Sequence, residues 1–369
     1  MQAFNRAIVD FRRRTTHKTA MLDHNPSRTY IIAEAGVNHD GSEERARELI
    51  AIAKRAGADA VKFQLFDPSA LSTADAPLAD YQSQNLGDTK TSQRAMLEAL
   101  ALPPETFVRI AQYCADEAID FLCTPFDEAS LAFLLEHTAM PALKLPSGEL
   151  TNALLLTAAA NSGLPLILST GMANLEEIQA ALALLTPLMG SRASEITLLH
   201  CVSTYPAPVA STHLRAIDTM QRTFALPVGL SDHTLGINVA IAAVARGATI
   251  IEKHFTYSPT AHGPDHAASL APEALHGMIQ AIREVEIALG LPEKRCQPEE
   301  ESTRHVARKS LVAAQPISRG ELFTPENLTA KRPAPSASIS PMQYAGLLGK
   351  PAQKDYNADQ HIDPCELLA

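Results

Sequence analysis

Short apolar runs alternate with amphipathic stretches along most of this chain, from residue 29 to about residue 290. The runs are short and aliphatic, as buried strands are, at 30–34, 60–65, 119–123, 142–145, 165–169, 196–201, 226–230 and 248–253. Helical patterns separate them, among them 43–56, 105–117, 128–136, 174–186 and 236–246. Strands that alternate with helices in this way predict βα units and a parallel sheet.

The number and the span of these units predict an α/β fold, a (β/α)8 TIM barrel. Eight units over residues 29–290 match the roughly 250 residues typical of that barrel. A doubly wound open sheet is the alternative, but it usually has fewer strands and a Gly-rich fingerprint after the first strand, which is absent here. We expect Asp127 and Asn174 to cap helix N-termini, and Gly57 and Gly247 to follow helix C-termini.

The chain on either side of this barrel, 29–290, has a different character. Residues 1–28 have a basic stretch at 11–18 and no apolar signal core. We expect an N-terminal extension, or translation starting upstream of Met21, rather than an Arg-rich transit peptide. Residues 291–305 are charged and contain proline, which predicts a linker. Residues 306–369 predict a small β-rich domain, too small for a large core of its own, which would lean on the barrel or on a partner subunit.

Composition and charge narrow the class of protein. The chain is 46% hydrophobic and 20% charged, as soluble globular proteins are. Its net charge of −10 excludes a basic surface for nucleic acid, and no apolar run approaches the roughly 20 residues that span a membrane. Five scattered cysteines without a CxxC pair predict reduced thiols. We therefore expect a cytoplasmic protein that acts on small molecules, without nucleic-acid or membrane partners.

Polar side chains follow every predicted strand, at the barrel face where such proteins keep their chemistry. The last two strands end at His233 and His254. If these strands are parallel neighbours, the two rings can converge on one point, and imidazole ligands with open positions suit a borderline ion such as Mn²⁺. Hydrogen-bonded structural histidines are the alternative.

Two lysines, Lys62 and Lys144, lie inside apolar runs, where a charge is costly unless it is paired or used. Structural ion pairs would explain them. With the nearby hydroxyls, and with backbone amides at 147–148 and 170–171, they also predict a small anionic substrate that carries phosphate and carboxylate. Glu34 and Glu149 could transfer protons or hold hydroxyl groups. These residues predict a metal-assisted enzyme and leave its reaction open.

Nine motifs occur in order: AEAGVNHDG at 33–41, VKFQ at 61–64, TPFD at 124–127, KLPSGE at 144–149, LSTGM at 168–172, HCVSTYP at 200–206, SDHT at 231–234, EKHFT at 252–256 and GPDH at 263–266. Together they resemble the sialic acid synthase family, the phosphoenolpyruvate-condensing nonulosonate synthases. The likeness extends from residue 29 to the C-terminus, where 306–369 resembles the family's antifreeze-like (β-clip type) domain. The resemblance implies a domain-swapped homodimer in which this domain caps the partner's active site.

The resemblance also implies a reaction. A transferase of this family would condense phosphoenolpyruvate with an open-chain N-acyl mannosamine-type sugar and water, giving a nine-carbon nonulosonic acid and phosphate. N-acetylneuraminate is the expected product. The alternative is N,N'-diacetyllegionaminate, made from 2,4-diacetamido-2,4,6-trideoxymannose. Another metal-dependent barrel aldolase, a Schiff-base aldolase that uses one of the lysines, and a non-catalytic binding protein remain further hypotheses.

Carried onto this sequence, the family's roles fall on four groups of residues. A divalent metal, Mn²⁺ in preference to Mg²⁺ or Co²⁺, would be held by His233 and His254. The catalytic residues would be Glu34, Lys62 and Glu149, with Glu149 handling the protons of the water. Phosphoenolpyruvate would be bound by Lys62, Thr124, Lys144, Ser147, Ser203 and Ser231. The sugar would be bound by Glu34, Gln64, Tyr205, Asp265 and, from the other subunit, Arg332.

Two departures from the family pattern bear on these assignments. After Lys-Arg-Pro at 331–333 the family usually continues Gly-Asn-Gly, whereas this chain has Ala334-Pro335-Ser336-Ala337. The loop that carries Arg332 is therefore expected to differ in shape. Some relatives also have Asn at the position of Ser203.

Overall fold

The fold comes from a computed structural model, which describes residues 28–87 and 91–368. The chain divides into two compact units, the first ending at Gly290 and the second beginning at Leu291. The predicted N-terminal extension lies outside the described residues except for Arg28. No helix in the described ranges is long and apolar enough to cross a membrane.

Eight parallel strands make up the sheet of the first unit: β1 Tyr30–Gly36, β2 Ala60–Leu65, β3 Asp120–Pro125, β4 Leu143–Leu145, β5 Leu166–Ser169, β6 Ile196–Cys201, β7 Val228–Asp232 and β8 Ile250–His254. Their order is β3-β2-β1-β8-β7-β6-β5-β4. The two ends of this order, β3 and β4, contact each other without a hydrogen-bonded ladder, so the sheet curls into a near-closed barrel. The predicted TIM-like α/β fold is confirmed.

Helices follow the strands and cover the barrel: α1 Glu43–Ala56, α2 Pro68–Leu71, α3 Asp80–Leu86, α4 Gln93–Leu100, α5 Pro104–Asp116, α6 Glu128–His137, α7 Ala153–Ala160, α8 Leu175–Met189, α9 Arg215–Phe224, α10 Asn238–Ala245 and α11 Pro272–Leu289. The predicted caps are present. Asp127 accepts from the backbone N–H of Ser130, and Asn174 forms a reciprocal capping box with Glu177. Gly57 has a φ of 90°, the left-handed conformation that glycine adopts most easily.

Side chains alternate between two apolar layers because successive residues of a strand point to opposite faces. Residues such as Ile31, Val61 and Phe63 pack outward against the helices. Tyr30, Ile32, Leu122, Ile167, Leu199 and Ile250 fill the interior of the barrel near the start of the strands. This apolar plug closes the barrel below, so the polar side chains that follow along the same faces collect at the other end.

The second unit has its own small core around a two-stranded antiparallel sheet of β9 Ser310–Ala313 and β10 Leu328–Lys331. The core includes Leu311, Ile317, Phe323, Tyr356 and Ile362. Outside these two strands, Leu322 forms an isolated antiparallel bridge with Pro351. The segment predicted as a linker contains most of a short helix, α12 Glu301–Ala307.

Candidate active site

A cavity of about 460 Å³ opens at the ends of the barrel strands. Every residue predicted for the site within the first unit lines it: Glu34, Lys62, Gln64, Thr124, Lys144, Ser147, Glu149, Ser203, Tyr205, Ser231, His233, His254 and Asp265. The remaining one, Arg332, follows β10 in the second unit, so its place at the sugar stays a prediction.

The two histidines face each other across neighbouring strands, with ring centroids 5.6 Å apart. Burial lowers the pKa of both rings, so both are neutral near pH 7. The Nδ1–H of His233 donates to the carbonyl oxygen of Val202 at 2.7 Å, which leaves Nε2 with its lone pair. Ser231 lies 3.3 Å from that nitrogen, but it donates its single proton to Glu252 at 2.9 Å. His254 Nδ1 is buried without a hydrogen-bond partner.

This pair of imidazoles fits a divalent metal. Metal-binding histidines typically donate the second ring N–H to a carbonyl or a carboxylate, as His233 does. Within the described ranges no group of three or more His, Cys, Asp or Glu side chains has the arrangement of a metal site. Two ring nitrogens would by themselves make an open site, in which substrate and water oxygens would complete the coordination.

Four buried charges occupy the floor of the cavity. Lys62 Nζ lies 2.8 Å from Glu34 Oε2 and 3.6 Å from Glu252 Oε2, and Lys144 Nζ lies 3.7 Å from Glu252 Oε1. Lys62 also donates to Thr124 Oγ1 at 3.2 Å. The ion pairs proposed as the alternative to a functional role are thus present, but they lie inside the cavity, where an incoming anion can compete for the lysines.

Protonation in this cluster follows from burial and from the neighbouring charges. Burial alone would lower the pKa of Lys62, but Glu252 and Glu34 outweigh it and raise that pKa. For Lys144 burial dominates and the pKa is lowered, with Glu252 as the main opposing charge. Burial works against ionisation of Glu252, yet Lys144 and Lys62 lower its pKa to about 2. Burial raises the pKa of Glu34 despite Lys62 beside it.

Glu252 is a site residue that the sequence analysis missed. Its carboxylate lies between the two lysines and accepts from Ser231, so it contacts three residues predicted to bind phosphoenolpyruvate. A signal was present in the sequence. Residues two apart in a strand share a face, so Glu252 points to the same side of β8 as His254.

The loops after β4, β5 and β6 meet at a close contact beside the lysines. Ser147 Oγ accepts the backbone N–H of Gly171 at 2.9 Å and lies 3.1 Å from Cys201 Sγ. The backbone N–H of Thr170 donates to Leu199. The expectation that the amides of Thr170 and Gly171 point at the substrate is therefore wrong, because the protein already uses both.

The residues predicted to bind the sugar come from several strand ends around the cavity. Gln64 Nε2 donates to Glu34 Oε1 at 2.9 Å, which orients both side chains. Burial, with Glu34 nearby, raises the pKa of Asp265 to about 7. The Tyr205 ring packs 4.1 Å from the His233 ring, centroid to centroid. Tyr81, a second residue missed from the sequence, packs 4.9 Å from Tyr205 and lines the cavity.

Glu149 is less enclosed than the other carboxylates. It ends the 3-10 turn Ser147–Glu149 directly after β4, half-buried, and its Oε2 accepts from Asn152 at 2.6 Å. A half-exposed carboxylate with one fixed oxygen can exchange a proton with a water molecule in the cavity.

Comparisons with known proteins agree with this fold. The NeuB family matches residues 49–294, and the SAF domain matches residues 308–366. The chain belongs to the NeuB family. It is 43% identical to the N,N'-diacetyllegionaminic acid synthase of Campylobacter jejuni, over 91% of this chain and 99% of that protein. The protein of the same name from Legionella pneumophila is 41% identical, over 87% of this chain and 89% of that protein.

A solved structure gives the same picture at the level of the fold. The N-acetylneuraminic acid (sialic acid) synthetase of Leptospira borgpetersenii has a TM-score of 0.64 and 33% identity, over 75% of this chain and 90% of that one. The resemblance to the sialic acid synthases is confirmed, and the SAF domain is the predicted antifreeze-like domain. The enzyme class is confirmed as well: this NeuB-family protein is a phosphoenolpyruvate-dependent, carbon–carbon bond-forming transferase.

Proposed function

We propose that this enzyme condenses phosphoenolpyruvate with 2,4-diacetamido-2,4,6-trideoxymannose and water, giving N,N'-diacetyllegionaminate and phosphate. The observation that carries the proposal is the shared cavity of two lysines, two neutral histidines and several carboxylates, found in a NeuB-family chain. Identities of 43% and 41% to two legionaminic acid synthases, against 33% to the sialic acid synthetase, favour this sugar over N-acetylmannosamine. N-acetylneuraminate, the first expectation from the sequence, thus becomes the second choice.

The anionic substrate belongs at the lysines. Lys62 and Lys144, with the hydroxyls of Thr124, Ser147, Ser203 and Ser231, form the cationic, donor-rich part of the cavity. Charge-assisted hydrogen bonds to phosphate and carboxylate oxygens are stronger than neutral ones, especially where water is excluded. Phosphoenolpyruvate would replace Glu34 and Glu252 as the ion-pair partner of the lysines. Its oxygens would then contact two ammonium groups that the fold already holds in position.

The reaction balances with the groups present. The methylene carbon of phosphoenolpyruvate forms a bond to the sugar aldehyde carbon, whose oxygen takes up a proton. Water adds to the adjacent cationic carbon and loses a proton, for which Glu149 is the proposed acceptor. Phosphate then leaves by cleavage of its C–O bond, and the ketone of the nine-carbon acid remains. Glu34, Gln64, Tyr205 and Asp265 would hold the sugar's hydroxyl and acetamido groups.

A divalent metal, Mn²⁺ by preference, is part of the proposal. His233 Nε2 and a ring nitrogen of His254 would hold it, since both rings are neutral and one is oriented by Val202. When bound, such an ion supplies Lewis acidity that polarises a carbonyl oxygen. We further propose a domain-swapped homodimer in which Arg332 of one chain reaches the sugar's N-acyl group in the other.

The direct test incubates the protein and Mn²⁺ with phosphoenolpyruvate and a panel of N-acyl sugars, with mass detection of products and assay of phosphate. We expect the highest kcat/KM for 2,4-diacetamido-2,4,6-trideoxymannose, and phosphate release equal to the nine-carbon product. A clear preference for N-acetylmannosamine would overturn the choice of sugar.

Borohydride trapping distinguishes the alternative chemistry. The proposed reaction forms no imine, so reduction in the presence of substrates should leave the protein mass unchanged. A covalent adduct at Lys62 or Lys144 would instead indicate a Schiff-base aldolase. With phosphoenolpyruvate labelled by ¹⁸O at the bridging position, the label should leave with phosphate, because the C–O bond breaks.

A further inference from the structure

The interior side chains of β2 and β3 change character in layers toward the mouth of the barrel. Residues two apart share a face, so Lys62 and Gln64 of β2, and Phe66 just beyond it, point inward one above another. On the neighbouring strand Thr124 pairs with Gln64 in register, and Phe126 follows. The rings of Phe66 and Phe126 meet edge to face at 6.1 Å. An aromatic layer therefore lies directly beyond the polar layer.

This aromatic layer belongs to a larger apolar wall of the cavity. We use "apolar wall" for Val37, Phe66, Met96, Leu97, Leu100 and Phe126, all of which line the cavity. They pack together in a cluster separate from the main core, and three of them come from α4. Apart from the Met96 thioether, these side chains carry no hydrogen-bonding group. Beside the wall, the side-chain oxygens of Gln82 and Gln93 accept from the Ala79 backbone N–H and the Ser72 hydroxyl, and their amide nitrogens are donors outside the wall.

The phosphate and carboxylate of phosphoenolpyruvate and the aldehyde of the sugar are polar groups, so none of them gains from contact with the apolar wall. Phosphoenolpyruvate belongs at the lysines, and the aldehyde belongs near the histidines on β7 and β8. The wall residues follow β1, β2 and β3, whereas His233 follows β7 and His254 ends β8. With the aldehyde at the histidines, the proposal therefore places the other end of the sugar chain against the wall. At that end N-acetylmannosamine carries a 6-hydroxyl, whereas a 6-deoxy sugar carries a methyl group. A hydroxyl placed against the wall would lose its water without gaining a partner from the wall side chains, while a methyl would gain burial.

We propose that the apolar wall is the specificity determinant of this enzyme and that it selects sugars with a methyl group at C6. The inference rests on the proposed function. It adds to that function the surface that recognises the substituent at C6 of the sugar. A hydrophobic pocket rejects an added hydroxyl only moderately, by about 100-fold at most, so we expect preference rather than exclusion.

The test compares two sugars that differ only at C6: 2,4-diacetamido-2,4,6-trideoxymannose and the same compound with a 6-hydroxyl. We expect the wild-type enzyme to favour the methyl sugar by about 10- to 100-fold in kcat/KM. Leu100→Asn offers the hydroxyl a partner in the wall, so this ratio should fall about tenfold or more. The ratio is independent of the fraction of active enzyme, so partial loss of folded protein leaves it unchanged.

The matched control is Leu86→Asn. Leu86 packs on the same apolar cluster and is also half-buried, but it does not line the cavity. Its ratio should remain that of the wild type. Met96→Gln provides a second variant in the wall, with similar length and a polar end, and should shift the ratio in the same direction as Leu100→Asn.

Four outcomes decide the matter. A wild-type ratio near one, or a ratio unchanged in both wall variants, would overturn the inference. A ratio that falls equally in Leu86→Asn would assign the effect to the cluster and also overturn it. If neither diacetamido sugar reacts, the proposed function fails; the same ratio is then measured on N-acetylmannosamine and its 6-deoxy analogue, which tests the wall separately.

Discussion

At the scale of single residues, the site is organised by buried ionisable groups whose protonation is set by their neighbours. His233 and His254 are neutral, and burial is the main cause. Lys62 and Glu252 are charged because each has opposite charges within 4 Å. The histidine lone pairs proposed for the metal, and the lysine charge proposed for phosphoenolpyruvate, are therefore present in the protein without its substrates.

The metal proposal predicts the effect of removing one ring. His254→Ala should lose Mn²⁺ binding, measured by metal content after gel filtration, and should lose activity by more than the roughly 10- to 100-fold typical of an outer-shell partner. His262→Ala is the control, because His262 is exposed and does not line the cavity. Full activity after chelation, with no bound metal, would remove the metal from the proposal.

The raised pKa of Asp265 predicts that the stability of the protein depends on pH. Its pKa is raised to about 7 from the usual 3.8, so the native state holds this proton more tightly than the unfolded chain does. The contribution of Asp265 to stability is thus fully present below pH 3.8 and is lost as pH rises through 7, by roughly 4 kcal/mol.

Urea unfolding of the wild type and Asp265→Asn at pH 5 and pH 8 measures this contribution. Asparagine does not titrate, so the variant should gain stability relative to the wild type at the higher pH. A difference between the two proteins that stays constant with pH would show that Asp265 ionises normally.

At the scale of elements, loops after separate strands share one crowded point. A Cβ at Gly171 would lie 2.2 Å from Ser203 Oγ and 2.9 Å from both Ser147 Oγ and Cys201 Sγ. A larger residue at this position would therefore have to displace the Ser147, Cys201 or Ser203 side chain. Glycine also leaves room for two hydroxyls proposed to bind phosphoenolpyruvate, those of Ser147 and Ser203.

Gly171→Ala should accordingly displace Ser147 and Ser203 and raise the KM for phosphoenolpyruvate. Loss of one hydrogen bond to a charged group, about 1.5–3 kcal/mol, corresponds to roughly 10- to 100-fold. Gly277→Ala in α11 is the control: a Cβ there meets nothing within 4 Å, so KM should not change and stability should rise slightly. An unchanged KM in Gly171→Ala would mean that the loops move apart without harm.

At the scale of the whole molecule, the residues proposed for the site are not all in the same unit of the chain. The barrel supplies every candidate residue except Arg332, which belongs to the second unit. Arginine suits contact with a carbonyl because its planar fork offers several fixed donors. The proposed swapped dimer predicts that the Arg332 guanidinium contacts the sugar in the partner's barrel and not in its own.

Mixing two inactive variants, Arg332→Ala and Glu149→Gln, tests this prediction through the activity that the mixed dimers recover. Arg332→Ala retains Glu149, and Glu149→Gln retains Arg332, so a mixed swapped dimer has one complete site and one doubly damaged site. After subunit exchange at equal amounts, we expect about a quarter of wild-type activity, since half of the dimers are mixed. If exchange is confirmed by mass and activity stays absent, Arg332 acts within its own subunit or has no role.

Local patterns in the sequence were sufficient for the strands, the capped helices and the polar strand ends. An aliphatic run, an N-cap such as Asp127 and a histidine at a strand exit depend on neighbours a few residues away. The barrel then follows from the count of βα units, and the convergence of strand ends follows from a parallel sheet. The candidate site could be predicted from the sequence for the same reason.

Only the tertiary structure revealed the features that depend on distant parts of the chain. Glu252 matters because Lys62 and Lys144 approach it from other strands, and Thr170 donates to β6 rather than to a substrate. The pairing of β9 with β10 and the packing of α4 onto Phe66 and Phe126 are likewise long-range contacts. Such contacts depend on burial and packing summed over the whole fold, and no short stretch of sequence contains that information.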